Sequence, residues 1–345
     1  MYKTAVVILN YNGLSFLKEF LPAVVRYSVS GDTTVIVADN GSTDGSAEWT
    51  GSSFPEIKLI RLTQNYGFAG GYNRALQQVE AGYYVLLNSD VEVTEGWLEN
   101  LTEFMDNHPE AAAVQPKILS YHRRDYFEYA GASGGYIDRF GYAFCRGRIF
   151  GNIEKDNGQY NNIAEVFWTT GACMLVRASA WKECGGFDES YFAHMEEIDL
   201  CWRFRSAGYR LYVNPGTAVY HVGGGALPYG SPFKTYLNFR NSLYLLYKNL
   251  PEECFRKRIF ARKLLDGTAF LFFALQLKFS HCAAILRAHI SYYRNLGELK
   301  VKREKNRLLS ENYLIKSGTM LNKCIVSEFY LKRKKIFSDL KGFGK

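Results

Sequence analysis

Disulfide chemistry and the common zinc sites find little support in this sequence. Its 345 residues include 7 Cys, an odd number. Cys145, Cys173, Cys184, Cys201, Cys254, Cys282 and Cys324 are scattered, with no CxxC and no zinc-ligand spacing. Reduced thiols in a cytoplasmic compartment are therefore expected. A secretory leader is not evident, because the first apolar run, Ala5–Leu9, has the length of a strand. No uncharged apolar stretch reaches the roughly 18 residues that cross a bilayer. The longest in the hydrophobic C-terminal part, Gly267–Leu277, stops at Lys278. No glycine-rich phosphate loop with an essential Lys or Arg stands near the N-terminus, which argues against nucleotidyl transfer. Gly67–Gly71 reads GxxGG rather than GxGxxG and follows the third expected strand, which argues against a nicotinamide cofactor. There are no internal repeats and no low-complexity linker.

Aromatics are plentiful, with 25 Tyr, 24 Phe and 5 Trp, and the length allows one large domain or two. The net charge of +8 is unevenly spread. Residues 255–345 hold 21 Lys+Arg against 6 Asp+Glu, so the first 254 residues are net negative. An acidic body with a basic tail suggests that the tail meets an anionic surface, lipid or nucleic acid.

Residues 4–9, 34–38, 57–62 and 83–87 read as buried strands. Each runs into a loop of turn formers, and helical spacing follows at 15–27 and again through Ala75–Val79. This alternation predicts a doubly wound, mostly parallel α/β sheet. A helix over 97–105 and strands at 111–116, 167–177 and 209–214 continue the pattern. Residues 120–165 show no periodicity and are expected to form an irregular, cleft-shaping excursion. From Thr235 the chain is expected to be helical, with Asn238, Arg240 and Asn241 inside an aromatic helix and a basic helical remainder to Lys345.

Three stretches carry chemistry. Tyr83–Thr94, YYVLLNSDVEVT, delivers Asn88-Ser89-Asp90 to the carboxyl edge of the sheet, where open α/β sheets bind ligands. A single aspartate there suits a divalent cation that fills its shell with water and phosphate oxygens. The competing reading is a strand ending in a polar turn. Glu196 and Glu197 fall in the first turn of a helix, where the dipole favours an ionised carboxylate able to act as a base. They equally fit a cluster that only stabilises the helix. Asp199 and Arg203 are spaced to pair on that helix. His221 precedes Gly223-Gly224-Gly225, which leave room for a phosphate or metal to approach.

Taken together the chain resembles the family-2 inverting glycosyltransferases of the GT-A fold, over roughly Thr4–Gly225. The motifs arrive in the family's order: VVILNYNG at 6–13, VADNGSTDGS at 37–46, NYGFAGGYN at 65–73, LLNSD at 86–90, TTGACMLVR at 169–177, GGFDE at 185–189 and EEIDLCWR at 196–203. The chain is most similar to the rhamnosyltransferase-like bacterial branch that builds cell-surface polysaccharides. The resemblance implies a Rossmann-like sheet flanked by helices over residues 1–230. Within it, 1–95 would be the nucleotide-sugar half and 96–230 the acceptor and catalytic half, with a helical extension at 231–345. Tyr11, Asp39, Asn40, Asn65 and Gly67 would lie along a nucleoside-diphosphate sugar. Asn88-Ser89-Asp90 matches the DXD motif, with Asp90 holding Mg²⁺ or Mn²⁺ and Glu92 a weaker second candidate. Asn88 departs from the pattern, since an amide in place of the first Asp lowers the negative charge of the site by one. His221 matches a histidine that completes the metal shell. Glu197 would be the base, with Glu196 competing and Asp199 and Arg203 orienting the pair. The implied acceptor is a glycan or lipid-linked glycan rather than nucleic acid. The implied location is peripheral, at the inner face of the plasma membrane, with the C-terminal region against the bilayer. A nucleotidyltransferase and a non-catalytic nucleotide- or glycan-binding module are the alternatives.

Overall fold

The computed structural model describes residues 2–223, 230–309 and 318–343. Gly224 and Gly225 beside His221, and residues 310–317 and 344–345 of the basic tail, lie outside the described residues.

The apolar runs form strands because aliphatic side chains fit a sheet covered on both faces. The first half alternates β1 (Tyr2–Asn10), α1 (Leu14–Ser28), β2 (Thr33–Asp39), α2 (Ser46–Ser53), β3 (Lys58–Arg61), α3 (Gly67–Leu76) and β4 (Ala81–Asn88). Next come β5 (Val91–Glu92), α4 (Glu99–Asn107) and β6 (Ala111–Ser120). Short strands β7 (Gly135–Asp138), β8 (Ala143–Cys145), β9 (Arg148–Ile149), β10 (Asn152–Ile153) and β11 (Ala164–Glu165) lead to β12 (Cys173–Arg177) and α5 (Ala178–Glu183). The chain closes with α6 (Glu196–Ser206), β13 (Arg210–His221), α7 (Pro232–Asn249), α8 (Glu252–Leu275), α9 (Phe279–Arg294), α10 (Leu296–Leu308) and β14 (Met320–Leu321).

The large sheet has the order β11-β13-β6-β12-β4-β1-β2-β3, with β5 on β13. β3, β2, β1 and β4 are mutually parallel, and β12 runs antiparallel to both β4 and β6. β6 and β13 therefore point the same way as β4. Residue alternation sends Ala5 and Val7 into one core with Tyr72, Trp181 and Trp202, and Val6 and Ile8 into another with Leu17, Trp97 and Leu101. Both faces of β1 are thus covered, which is why it reads as an unbroken apolar run.

Three expectations need correction. The glycine-rich stretch 67–73, expected as a loop before a helix, is itself the start of α3. A Cβ on Gly71 would come within 2.8 Å of Leu9 and 3.0 Å of Asn40 Nδ2, so the helix lies on β1 only because that residue is glycine. The 120–165 region is not irregular: it contributes β7 to β10 to a second sheet of order β10-β9-β8-β7-β14. Strands of two to four residues are too short to show a period. The stretch 318–343, expected to be helical, instead returns to this sheet. Met320–Leu321 pair in parallel with Ile137–Asp138, and Phe337 (tilted) and Phe343 (edge-on) pack against Tyr136. Its lysines are partly engaged, Lys332 and Lys334 with the buried Glu328 and Lys335 over Phe329.

α7 carries fully buried Leu243, Leu245 and Leu246 and packs against α6, α9 and α10. This puts the C-terminal helices directly behind the acidic turn of α6.

Candidate active site

The carboxyl ends of β4, β1 and β2 lie side by side in register. Leu9 is opposite Asn88 and Asn10 opposite Asp39. Asp39 is buried and accepts from Ser42 N at 3.0 Å and from Asn10 Nδ2 at 3.3 Å. Asn40 is also buried. Its amide nitrogen donates to Asn65 Oδ1 (3.1 Å) and to the Gly67 carbonyl (3.0 Å), while its oxygen accepts from Tyr66 N (3.0 Å). It thereby fixes the loop that turns β3 into α3. Gly67 holds φ +72°, and a Cβ there would approach the Phe192 carbonyl at 3.3 Å. Tyr11 is half-exposed at the rim. The edge is thus a polar shelf of Tyr11, Asp39, Asn40, Asn65, Gly67 and Asn88.

Asp90 and His221 meet at one end of this shelf. β13 pairs antiparallel with β5 at His221–Val91, and Val222 N donates to the Asp90 carbonyl at 3.1 Å, which sets the two side chains together. His221 Nε2 lies 3.2 Å from Asp90 Oδ1, and Nδ1 lies 3.5 Å from Glu128 Oε2. Asn88 Nδ2 is 3.5 Å from the same Nε2. Burial opposes charge on the imidazole, but Asp90 and Glu128 outweigh it and raise its pKa to about 10. Burial pushes Asp90 up, and the His221 contact more than reverses this, leaving the carboxyl below its usual range. A hard oxygen and an imidazole nitrogen converge here, with a carboxylate behind the ring, as in histidine metal sites. Among the described residues no group of three or more His, Cys, Asp or Glu could hold a metal ion. Asp90 and His221 alone offer two donors, the ring nitrogen only once its proton is displaced, so a cation here would draw its remaining ligands from a diphosphate and water, as Mg²⁺ does. Glu92 faces elsewhere, gripped by Arg124 at 2.6 and 3.1 Å.

The acidic pair opens α6 after an unusual turn. Phe192, His194 and Met195 all take positive φ (64°, 67° and 74°), which costs non-glycine residues energy and persists only where neighbours impose it. Those neighbours come from α7. Asn241 Nδ2 lies 3.1, 2.8 and 2.7 Å from the carbonyls of Tyr191, Ala193 and His194. Arg240 Nη2 donates to the carbonyls of Ser190 and Tyr191. Glu196 is buried and Glu197 half-buried, and each has an Oε2 atom with no hydrogen-bond partner. Burial raises both pKa values, Glu197 to about 7 and Glu196, which also faces the charge of Glu197, well above its usual range. The backbone N–H groups of Glu197, Ile198 and Met195 hold the Glu197 shift down. A carboxylate with a free oxygen and a pKa near neutrality is suited to accept a proton.

Asp199 is fully enclosed. Tyr191 OH (3.1 Å), Arg203 Nε (3.0 Å), Asn249 Nδ2 (2.8 Å) and Lys248 Nζ (2.9 Å) surround it. Lys248 also bridges to Asp188 at 2.5 Å, which Lys302 reaches at 2.7 Å. Asp199 is therefore a strut between α6 and the C-terminal helices and has no face open to a substrate.

Lys234 feels the charge of Glu128, and Lys234 in turn helps burial lower the His194 pKa to about 4, keeping that ring neutral. Gly67 touches the turn at Phe192 from the shelf side. Sequence reasoning missed Glu128, Arg240, Asn241, Lys248 and His194 as functional residues. Glu128 lies in the region without periodicity. Asn241 and Lys248 were detectable as polar residues on a helix face otherwise made of Leu237, Tyr244 and Leu245.

Among known families, the description that matches is Glycosyl transferase family 2, over residues 5–181. The chain is similar to an N-acetylglucosaminyl-diphospho-decaprenol L-rhamnosyltransferase of Mycobacterium tuberculosis, with 29% identity over 63% of this chain and 75% of that protein. It is also similar to the low-salt glycan biosynthesis hexosyltransferase Agl10 of Haloferax volcanii, with 25% identity over 69% and 73% of the two chains. Among solved structures, S. aureus TarS 1-349 in complex with UDP-GlcNAc shares the fold at TM-score 0.57 and 18% identity, covering 90% and 91% of the two chains. The mannosyltransferase PcManGT of Pyrobaculum calidifontis, in complex with GDP-Man and Mn²⁺, does so at TM-score 0.51 and 15% identity, over 89% and 83%.

Proposed function

The chain belongs to glycosyl transferase family 2, and on that premise we propose that it transfers a sugar from a nucleoside-diphosphate donor, with inversion, to a hydroxyl of a lipid-linked glycan. Rhamnose is the sugar favoured by the relatives, and bacterial cell-surface polysaccharide is the product class. The observation that supports the reading is a pair of acidic sites on separate elements: Asp90, two residues past the end of β4 and 3.2 Å from His221, and Glu197 in the first turn of α6.

The two sites divide the work. The nucleotide lies along Tyr11, Asp39, Asn40, Asn65 and Gly67, with Asn88 toward the ribose or diphosphate. Asp90 and His221 would hold Mg²⁺ or Mn²⁺, which, when bound, offsets the charge that develops on the departing diphosphate. Glu128 orients the His221 ring from behind. Asn88 keeps this corner one charge less negative than two aspartates would. Glu197 takes the proton of the acceptor hydroxyl as it attacks the anomeric carbon from the face opposite the diphosphate. In-line attack of that kind inverts the anomeric centre. Glu196 lies deeper, and its shared field keeps the pair from ionising together, which raises the basicity of whichever carboxylate is charged. Asp199, Arg203 and Lys248 fix α6 so that the base does not wander. Among the described residues no helix is long and apolar enough to cross a membrane, and the net-positive C-terminal region supports a peripheral position at the inner face of the plasma membrane.

The test is transfer from a panel of nucleoside-diphosphate sugars to lipid-linked acceptors extracted from bacterial membranes, read by mass spectrometry. The anomeric configuration of the product is then assigned by NMR. An inverted product whose formation is lost in Glu197→Gln supports the reading. A retained configuration, or undiminished turnover in that variant, contradicts it.

A further inference from the structure

The hairpin of α8 and α9 is built inside out. The face of α8 turned toward the protein buries Arg262 and Asp266, ion-paired at 2.8 Å, with His289 of α9 at 3.1 Å from the same aspartate. The face turned outward is apolar. On α8, Phe260, Leu264, Leu271, Phe272 and Leu275 are exposed. On α9, Phe279, Leu286, Ile290 and Tyr293 are exposed. Each set recurs at helical spacing and so forms one stripe. Lys263 Nζ reaches Tyr293 OH at 2.8 Å and ties the two helices along this side. The tip is the most open part, with Leu275 86% and Leu277 75% exposed. Ten exposed large apolar residues gathered on one hairpin mark an interaction surface.

Charge identifies the occupant. Between Phe255 and Leu296 the sole acidic residue in the sequence is Asp266, which is fully buried. Arg256, Lys257, Lys278, Arg287 and Arg294 are all exposed. An apolar stripe bordered by cations and free of exposed carboxylates complements an anionic lipid leaflet, where such helices lie with the apolar face in the acyl boundary.

The tip also connects to the catalytic turn through side-chain contacts and the first turn of α7. Phe273 stacks on His281, whose Nδ1 lies 2.8 Å from Thr235 Oγ1 at the head of α7. Tyr236 stacks on Phe233, and Phe233 meets Phe192 at 6.4 Å, at the start of the strained turn before Glu196. Phe192 and Phe233 are both half-exposed.

We infer that the α8–α9 hairpin seats its apolar face in an anionic membrane leaflet, and that the aromatic line from Phe273 to Phe192 leads the lipid portion of the acceptor toward Glu197. The second half of this inference rests on the lipid-linked acceptor proposed above; the first does not.

Flotation of the full chain with vesicles tests the surface, using equal parts phosphatidylglycerol and phosphatidylcholine against phosphatidylcholine alone. The expected result is binding to the anionic vesicles at low salt, weakened about tenfold or more by combining Leu275→Ser, Leu277→Ser and Phe279→Ser. These positions are exposed, so the thermal midpoint and the shift produced by nucleoside diphosphates should stay as in the parent chain. Equal binding by the triple variant overturns the proposal, as does no binding by the parent chain. So does a parent dimer, seen by light scattering, that the triple variant converts to monomer, since the face would then belong to a second copy. For the aromatic line, Phe233→Ala should raise KM for the lipid-linked acceptor about tenfold and leave donor KM unchanged; equal KM values would overturn that half. Failure of vesicle binding with nucleoside-diphosphate binding intact removes the surface and leaves the glycosyltransferase reading standing. Vesicle binding by a chain that glycosylates only water-soluble acceptors leaves the surface standing and removes the lipid-linked acceptor, and with it the role of the aromatic line.

Discussion

Asn241 Nδ2 donates to the carbonyl of His194 at 2.7 Å, joining a C-terminal helix to the strained turn that presents the acidic pair. The same amide reaches the carbonyls of Ala193 and Tyr191, so one side chain holds the backbone that three positive-φ residues would otherwise relax. The C-terminal helices therefore take part in shaping the site.

That relationship predicts a split in kinetics. Asn241→Ala should lower kcat by roughly 10- to 100-fold through misplacement of Glu197, with donor KM nearly unchanged. Asn241→Asp should fall at least as far, because a carboxylate would face three carbonyl oxygens. Steady-state kinetics with donor and acceptor varied separately check this, and a change confined to donor KM would contradict it.

The acidic pair sets the pH response. With Glu197 pushed up to about 7 by burial, kcat/KM should rise as pH increases through about 7 and then level off. Glu197→Gln should be slower by roughly 10²–10⁴-fold and lose that rise. The stability effect has the opposite sign. A carboxyl whose folded pKa lies above its unfolded one binds its proton more tightly when folded, so its contribution is full at low pH and is lost as pH rises through about 7. Thermal melts of parent and Glu197→Gln across this range should converge at low pH, with the parent falling below the variant at high pH.

Lys248 sits between Asp188 and Asp199, 2.5 and 2.9 Å away, and is buried. Replacing it with Met leaves two enclosed carboxylates short of a cation, which should cost roughly 3–5 kcal/mol. Denaturant unfolding measures this, and a loss under about 1 kcal/mol would mean that Lys302 and Arg203 suffice.

Much of this was legible in the sequence for identifiable reasons. Strands β1, β2 and β4 are covered on both faces and so read as apolar runs, and the polar residues that follow them mark the sheet edge directly. Asp90, Glu196, Glu197 and His221 lie where strands end or a helix begins, positions that turn and cap chemistry announce. The parts that were not legible depend on long-range contact. Glu128 meets His221 only because its loop folds back on β6, with Phe127 bridging to Leu119 and Glu128 N donating to the Ile118 carbonyl, and a loop carries no period. Asn241 and Lys248 act across 40 or more residues, on a helix whose aromatic content suggested only packing. The return of Met320–Leu321 to β7 likewise rests on pairing between distant segments, inside a stretch whose basic composition favoured helix.

The measurement that bears most directly on the central claim is a thermal-shift screen of the full chain with UDP, dTDP, GDP and CDP, each with Mn²⁺, with Mg²⁺ and with chelator. A ligand bound only by the folded chain stabilises it by about 2.7 kcal/mol at a hundred times its Kd. One nucleoside diphosphate should raise the midpoint with metal, and the rise should vanish with chelator and in Asp90→Ala. A rise that ignores both chelator and Asp90→Ala would contradict a metal site at Asp90 and His221, and no rise with any of the four would contradict a nucleoside-diphosphate donor altogether.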